Sequence, residues 1–253
     1  MQTRTAPVRT TADVAALGTI LGVWAHPDDE VYLSAGLMAA AAAAGNRVVV
    51  VTVTRGERGT DDPARWPPAR LAAERLAESA AALALLDAGH ERIGRHLLGA
   101  DTGRSFLDGH LALGDPAAAV AELTRLVDAF APDTVLTFGP DGMTGHPDHR
   151  AVSAWTAAAL EGATWPVPRL LHAAVRPEQA AEFGAFVEPM GERGDGPVCP
   201  PSDLAVDLAL SGAALDRKVA ALELHATQTG PLRAALGGRY RAFVATECFR
   251  VAD

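Results

Sequence analysis

Residues 47–54 read Arg-Val-Val-Val-Val-Thr-Val-Thr, a run in which apolar and polar side chains do not alternate. A strand that alternates can leave one face to water. A continuous β-branched run needs cover on both faces, which is the situation of a strand inside a parallel sheet. The rest of the chain supplies that cover. Short strand-like runs at Thr19–Trp24, Thr134–Phe138 and Arg169–Val175, with a weaker one inside Glu91–Leu98, alternate with alanine-rich stretches. The stretches Asp28–Ala44, Pro67–Asp87, Pro116–Phe130 and Pro147–Leu160 read as helices, the first closed by Gly45. An apolar run around Leu204–Leu210 leads to a last helix over Gly212–Ala226. Strand–helix alternation of this kind predicts an α/β fold, a mostly parallel sheet with right-handed crossovers and helices on both faces.

No composition break or fixed-period repeat interrupts the 253 residues, so the chain reads as a single domain. Residues 1–15 read as a loose N-terminal arm, and Arg176–Pro201, rich in Pro, Gly and Glu, as an irregular surface excursion. A composition of 49% hydrophobic and 21% charged residues excludes general disorder. The net charge of −9 argues against nucleic acid or an anionic membrane as partner, since both select a basic face. The apolar stretches are too short to span a bilayer, and the N-terminus has no apolar signal core. Cys199 and Cys248 lie far apart without a CxxC pair, which speaks against a disulfide framework and a thiolate zinc site. The expectation is a cytoplasmic protein with a small-molecule substrate; homo-oligomerisation stays open.

In open α/β sheets ligands sit beyond the carboxyl ends of the strands, and two strand-end loops share a pattern. The first strand runs into Ala25-His26-Pro27-Asp28-Asp29-Glu30, and the strand at 134–138 leads to Gly145-His146-Pro147-Asp148-His149. Each His-Pro puts the histidine at the loop and the proline in the first helical turn, where its missing N–H costs nothing. His26, Asp29 and His149 then offer two imidazoles and one carboxylate, the ligand set of a catalytic zinc site with a position left open. Helix capping is the competing account of each Asp taken alone, and of Asp148 in particular. The clustering argues for a metal, because adjacent acids such as Asp28 and Asp29 repel unless a cation compensates.

The first motif with a distant His-Pro-Asp-His resembles the LmbE/PIG-L family of zinc-dependent N-deacetylases. Thr54-Arg55-Gly56-Glu57, Arg75-x-x-Glu78 and the segment from Lys218 to Gln228 agree with it, so the likeness runs from about residue 19 to 230. The resemblance implies a Rossmann-like sheet and one Zn2+ per chain, held by His26, Asp29 and His149. It implies Asp28 as general base and a protonated His146 facing the substrate carbonyl, with Arg55 and Asp108 as substrate contacts. The reaction implied is removal of an N-acetyl or other N-acyl group from an amino sugar or glycoconjugate. Cleavage of a larger amide, such as a thiol–sugar conjugate, and a metal-retaining sugar-binding module are the alternatives. One departure is Thr144, where mycothiol-type members carry a tyrosine. Lys218, the one lysine in the chain, shares a helix face with His225 and could be structural or catalytic.

Overall fold

The computed structural model describes residues 6–100, 104–167, 169–187 and 198–252. Seven strands form one sheet: β1 (Ile20–Trp24), β2 (Val48–Thr52), β3 (Ile93–Leu97), β4 (Thr134–Thr137), β5 (Arg169–Ala174), β6 (Leu204–Ala209) and β7 (Thr246–Val251). Their order across the sheet is β3-β2-β1-β4-β5-β7-β6. All neighbours as far as β5 are parallel, and β7 runs antiparallel to both β5 and β6. The chain builds outwards from β1 through β2 to β3, then returns to the other side of β1 for β4. The gap between β1 and β4 is therefore the topological switch point, where loops splay apart and leave a crevice.

The helices are α1 (Asp29–Ala43), α2 (Pro68–Asp87), α3 (Ala117–Phe130), α4 (Pro147–Gly162), α5 (Pro177–Val187), α6 (Gly212–Leu224), α7 (Ala226–Leu236) and the single turn α8 (Tyr240–Phe243). α1, α2 and α6 pack on one another, and α3 packs on α4. Every residue of β1, β2 and β4 is buried, as the unbroken β-branched run requires. Among the described residues no helix is long and apolar enough to cross a membrane. Cys199 and Cys248 are both buried free thiols.

Three sequence expectations change. The described part of the N-terminal arm is not loose: Val8 bridges to Val206, and Thr11–Leu17 forms a 3-10 helix that buries Val14 and Leu17. Asp13 fixes its start by accepting hydrogen bonds from the backbone and hydroxyl of Thr10. The excursion after β5 begins as a helix, α5, whose Phe183 is buried; residues 188–197 lie outside the described residues. The sheet also gains β7, whose Glu247, Cys248 and Phe249 are all buried.

α1 is not one continuous helix. Ser34 has φ −145° and ψ 16°, and its hydroxyl donates to the carbonyl of Glu30. The backbone groups freed at this break are taken up from elsewhere. Gly36 and Leu37 donate their N–H groups to the two carboxylate oxygens of Glu247, each at 2.8 Å. Lys218 Nζ donates to the carbonyl of Tyr32 at 2.6 Å and to Glu247 Oε1 at 2.9 Å. Lys218 and Glu247 are 0% and 1% exposed, so this pair is a buried strut that caps both halves of a broken helix.

Candidate metal centre

The switch point brings the two His-Pro loops together. His26 follows the last residues of β1, and Asp29 opens α1; both are buried. The His26 N–H donates to Asp29 Oδ2 at 2.7 Å, so the loop backbone itself aims that carboxylate. His149, in the first turn of α4, is stacked flat on Phe138, with ring centroids 4.0 Å apart and planes 6° apart. Its Nδ1 meets the carbonyl of Gly142 at 3.0 Å. That leaves Nε2 as the nitrogen with a free lone pair, and it points at the first loop. Gly142, at φ 76°, lets the backbone pass this closely: a Cβ there would lie 3.0 Å from the carbonyl of His146 and 2.8 Å from the Arg150 side chain.

His149 Nε2 lies 3.3 Å from His26 Nδ1 and 3.5 Å from Asp29 Oδ1, and His26 Nδ1 lies 3.6 Å from Asp29 Oδ2. Ligands at ~2.1 Å around a tetrahedral ion stand roughly 3.4 Å apart, so these separations, each histidine facing a different oxygen of Asp29, are of the size a zinc-type donor set needs. His146 closes the group, a ring nitrogen of each of the three histidines lying within 4.8 Å of the others.

The supports behind the triangle are ordered by chemistry. His26 Nε2 lies 3.1 Å from Asp108 Oδ1 and 3.4 Å from Asp148 Oδ2, so carboxylates hold the N–H on Nε2 and keep Nδ1 free for a ligand. Asp108, expected at the substrate, is 5% exposed at the edge of the cavity with its carboxylate against the back of His26. Asp148, read as a helix cap, is instead fully buried and accepts the N–H groups of Gly109 and Leu111, which ties α4 to the loop after β3. The cap of α4 is His146, whose Nδ1 accepts from the Asp148 N–H at 3.1 Å. With Nδ1 taken up as acceptor, Nε2 is the ring nitrogen left to donate.

Asp28 is the residue beside the triangle. Its backbone is at φ 128° and ψ −28°, a region costly to any residue but glycine. Glu30 holds it there by accepting the Asp28 N–H at 3.0 Å, while Ser79 donates to the other Glu30 oxygen at 2.9 Å. Arg75 Nη2 lies 3.3 Å from Asp28 Oδ2 and donates to the carbonyl of Pro27, while its Nη1 donates to the carbonyl of Gly56. Arg75 carries no predicted role from the sequence, yet it was detectable. Its place among Leu71, Ser79, Ala82 and Leu86 on the buried face of α2 demands a partner for its charge.

Burial and proximity distort these titrations. Burial pushes the Asp28 carboxyl up to about 7, with Arg75 opposing and the charges of Asp29 and Glu30 adding. Glu30 is also raised to about 7, chiefly by burial. Burial opposes ionisation of Asp29 too, but His149 and His26 outweigh it and hold that carboxyl well below the usual range. Burial works against the His26 cation, yet Asp108, Asp148 and Asp29 raise it well above the ordinary value. His149 goes the other way, burial lowering it to about 4. Arg55 is exposed in the loop after β2 and is not among the residues that line the cavity. Thr144 lines it, with a buried hydroxyl that has no partner among the described residues.

Residues 21–160 match the family described as PIG-L, GlcNAc-PI de-N-acetylase. Over 242 residues the chain is 39% identical to the 1D-myo-inositol 2-acetamido-2-deoxy-alpha-D-glucopyranoside deacetylase of Nakamurella multipartita, covering 86% of this chain and 81% of that protein. The protein of the same description from Mycolicibacterium vanbaalenii is 35% identical, with 83% of this chain and 80% of that one covered. In fold, the A40926 pseudoaglycone deacetylase superposes with a TM-score of 0.62 at 23% identity, over 93% of this chain and 98% of that one. With the two His-Pro loops assembled at one switch point, the chain belongs to the PIG-L family of de-N-acetylases.

Proposed function

We propose that the protein is a zinc-dependent hydrolase that removes the N-acetyl group of an amino sugar or glycoconjugate. The observation that carries this reading is the 3.3–3.6 Å grouping of His26, Asp29 and His149 with the carboxylate of Asp28, held by Arg75, at its side. The two relatives described as 1D-myo-inositol 2-acetamido-2-deoxy-alpha-D-glucopyranoside deacetylases support the substrate class. Zinc, when bound there, supplies Lewis acidity to water and to the acyl oxygen. Asp28 takes a proton as water attacks the amide carbon and passes it to the nitrogen as the C–N bond breaks, giving a carboxylic acid and a free amine. His146 Nε2–H donates to the oxygen on which negative charge develops. Asp108 and Asp148 keep His26 turned with Nδ1 inwards. The test is acetate release from a panel of N-acetylated glucosamine derivatives, including the glucosaminyl-inositol, with metal-free and zinc-reconstituted protein. Zinc-dependent release is expected; a zinc-loaded protein that leaves every amide of the panel intact would overturn the reading.

A further inference from the structure

Lys218 finds its partners in Tyr32 and Glu247; the ring of His225, seven residues further on, finds none. It stands where α6 ends and α7 begins, 0% exposed, and neither ring nitrogen has a hydrogen-bond partner among the described residues. Burial lowers its pKa to about 4, with Arg75 adding and Asp29 opposing, so the ring is neutral at pH 7 and offers one N–H and one lone pair. Polar groups taken out of water nearly always recover their hydrogen bonds, so two idle ring nitrogens ask for an account.

Arg75 presents the counterpart. Its Nη1 donates to the carbonyl of Gly56, and its Nη2 donates to the carbonyl of Pro27 and lies 3.3 Å from Asp28 Oδ2. Its Nε–H is buried and has no acceptor among the described residues. The joint between α6 and α7 grips the surroundings of this side chain from two sides. Thr227 donates its N–H and its hydroxyl to the two oxygens of Glu78, at 2.9 and 2.7 Å, one turn along α2 from Arg75. Gln228 Nε2 donates to the carbonyl of Gly59 at 3.0 Å, in the loop that also holds Gly56. His225 is the member of the joint whose ring lies in the field of the guanidinium itself. A guanidinium is planar and pivots at Nε, so a hydrogen bond there fixes the plane in which Nη2 meets Asp28. Resting on the hydrolase reading above, we infer that His225 is a positioning residue: its unprotonated nitrogen and the Nε–H of Arg75 share one buried water, which locks the guanidinium and, through it, the carboxylate of Asp28.

The test compares His225→Phe, which keeps a ring and removes both nitrogens, with His225→Gln, which restores a polar acceptor. With N-acetylglucosaminyl-inositol and the zinc-loaded protein, His225→Phe should lower kcat about tenfold or more, with KM and zinc content held to within about twofold. His225→Gln should recover most of that kcat. A ring that serves no partner gives the opposite result: replacing an idle buried imidazole by phenyl raises the thermal midpoint and leaves kcat alone, and that outcome would overturn the proposal. An equal loss in His225→Gln, or a loss confined to KM, would overturn it too. Nitrogen-15 spectra of the zinc-loaded parent read the same contact without turnover and without a variant. They should show His225 as a neutral imidazole whose unprotonated nitrogen accepts a hydrogen bond; a free lone pair there sinks the proposal even where neither variant folds. A hydrogen-bonded His225 in a protein that leaves every N-acetyl substrate intact would keep the contact to Arg75 and remove the hydrolase reading.

Discussion

Asp28 has a backbone conformation costing on the order of 1–3 kcal/mol, and the cost is met by Glu30 and by the carbonyl of Asp28 itself, which accepts from Val31 and Tyr32. Asp28→Asn keeps the shape, so zinc content and fold should persist while kcat drops by about 10²-fold or more, measured on the zinc-loaded variant. Unchanged turnover would place the base elsewhere. Asp108 is held by two donors, His26 Nε2 on one oxygen and the Arg58 N–H on the other at 2.9 Å. Asp108→Asn turns an amide N–H2 towards one of them, and zinc affinity should fall about 10- to 100-fold in a competition titration. At this scale the sequence is informative where chemistry is local. In each of two short motifs the residue three after the first histidine, Asp29 or His149, is itself a candidate ligand, and proline marks where each helix starts. That Arg75 needs a partner is legible from its buried place on α2, but that the partner is Asp28, and that Asp108 backs His26, depends on which loops the fold brings together.

Among the elements, α1 depends on a partner from the far end of the chain. Lys218→Met leaves the carboxylate of Glu247 buried against two amides and the Tyr32 carbonyl without a donor, and should cost about 3–5 kcal/mol in urea unfolding. Asp87 does a similar service at the end of α2. Its carboxylate accepts the N–H groups of Glu91, Arg92 and Ile93 and so turns the chain into β3. Some burial opposes ionisation, but these three donors outweigh it and lower the pKa. A depressed folded-state pKa gives stability that is full above the unfolded value near ~3.9 and is lost as pH falls through the folded one. Asp87→Ala should therefore cost about 1–2 kcal/mol at pH 7, with the gap to the parent closing below about pH 4. Strands β1, β2 and β4 and the long helices were placed to within a few residues because their apolar runs are unbroken. β7 escaped notice because a buried strand that begins Thr-Glu-Cys has no hydrophobic signature until its glutamate is seen to be capping a helix. α5 was hidden by the Pro- and Gly-rich segment in which it starts.

Across the whole molecule, the three candidate ligands come from two loops on either side of the β1–β4 gap, so an ion between them would join two halves of the sheet edge. Chelation should lower the thermal midpoint. Restoring zinc at a hundredfold excess over its dissociation constant should return about 2.7 kcal/mol, read as a concentration-dependent shift in unfolding. A midpoint indifferent to chelator would mean that no ion bridges the loops. The strut between Lys218 and Glu247 bears on how such a molecule is made. His26, Asp29 and His149 precede residues 218 and 247 in the chain, yet the helix carrying Asp29 takes its broken form against those two. β7 follows β5 and β6 along the chain and must slot between them. A nascent chain therefore exposes its candidate metal ligands before the residues that set the angle of Asp29 have been made.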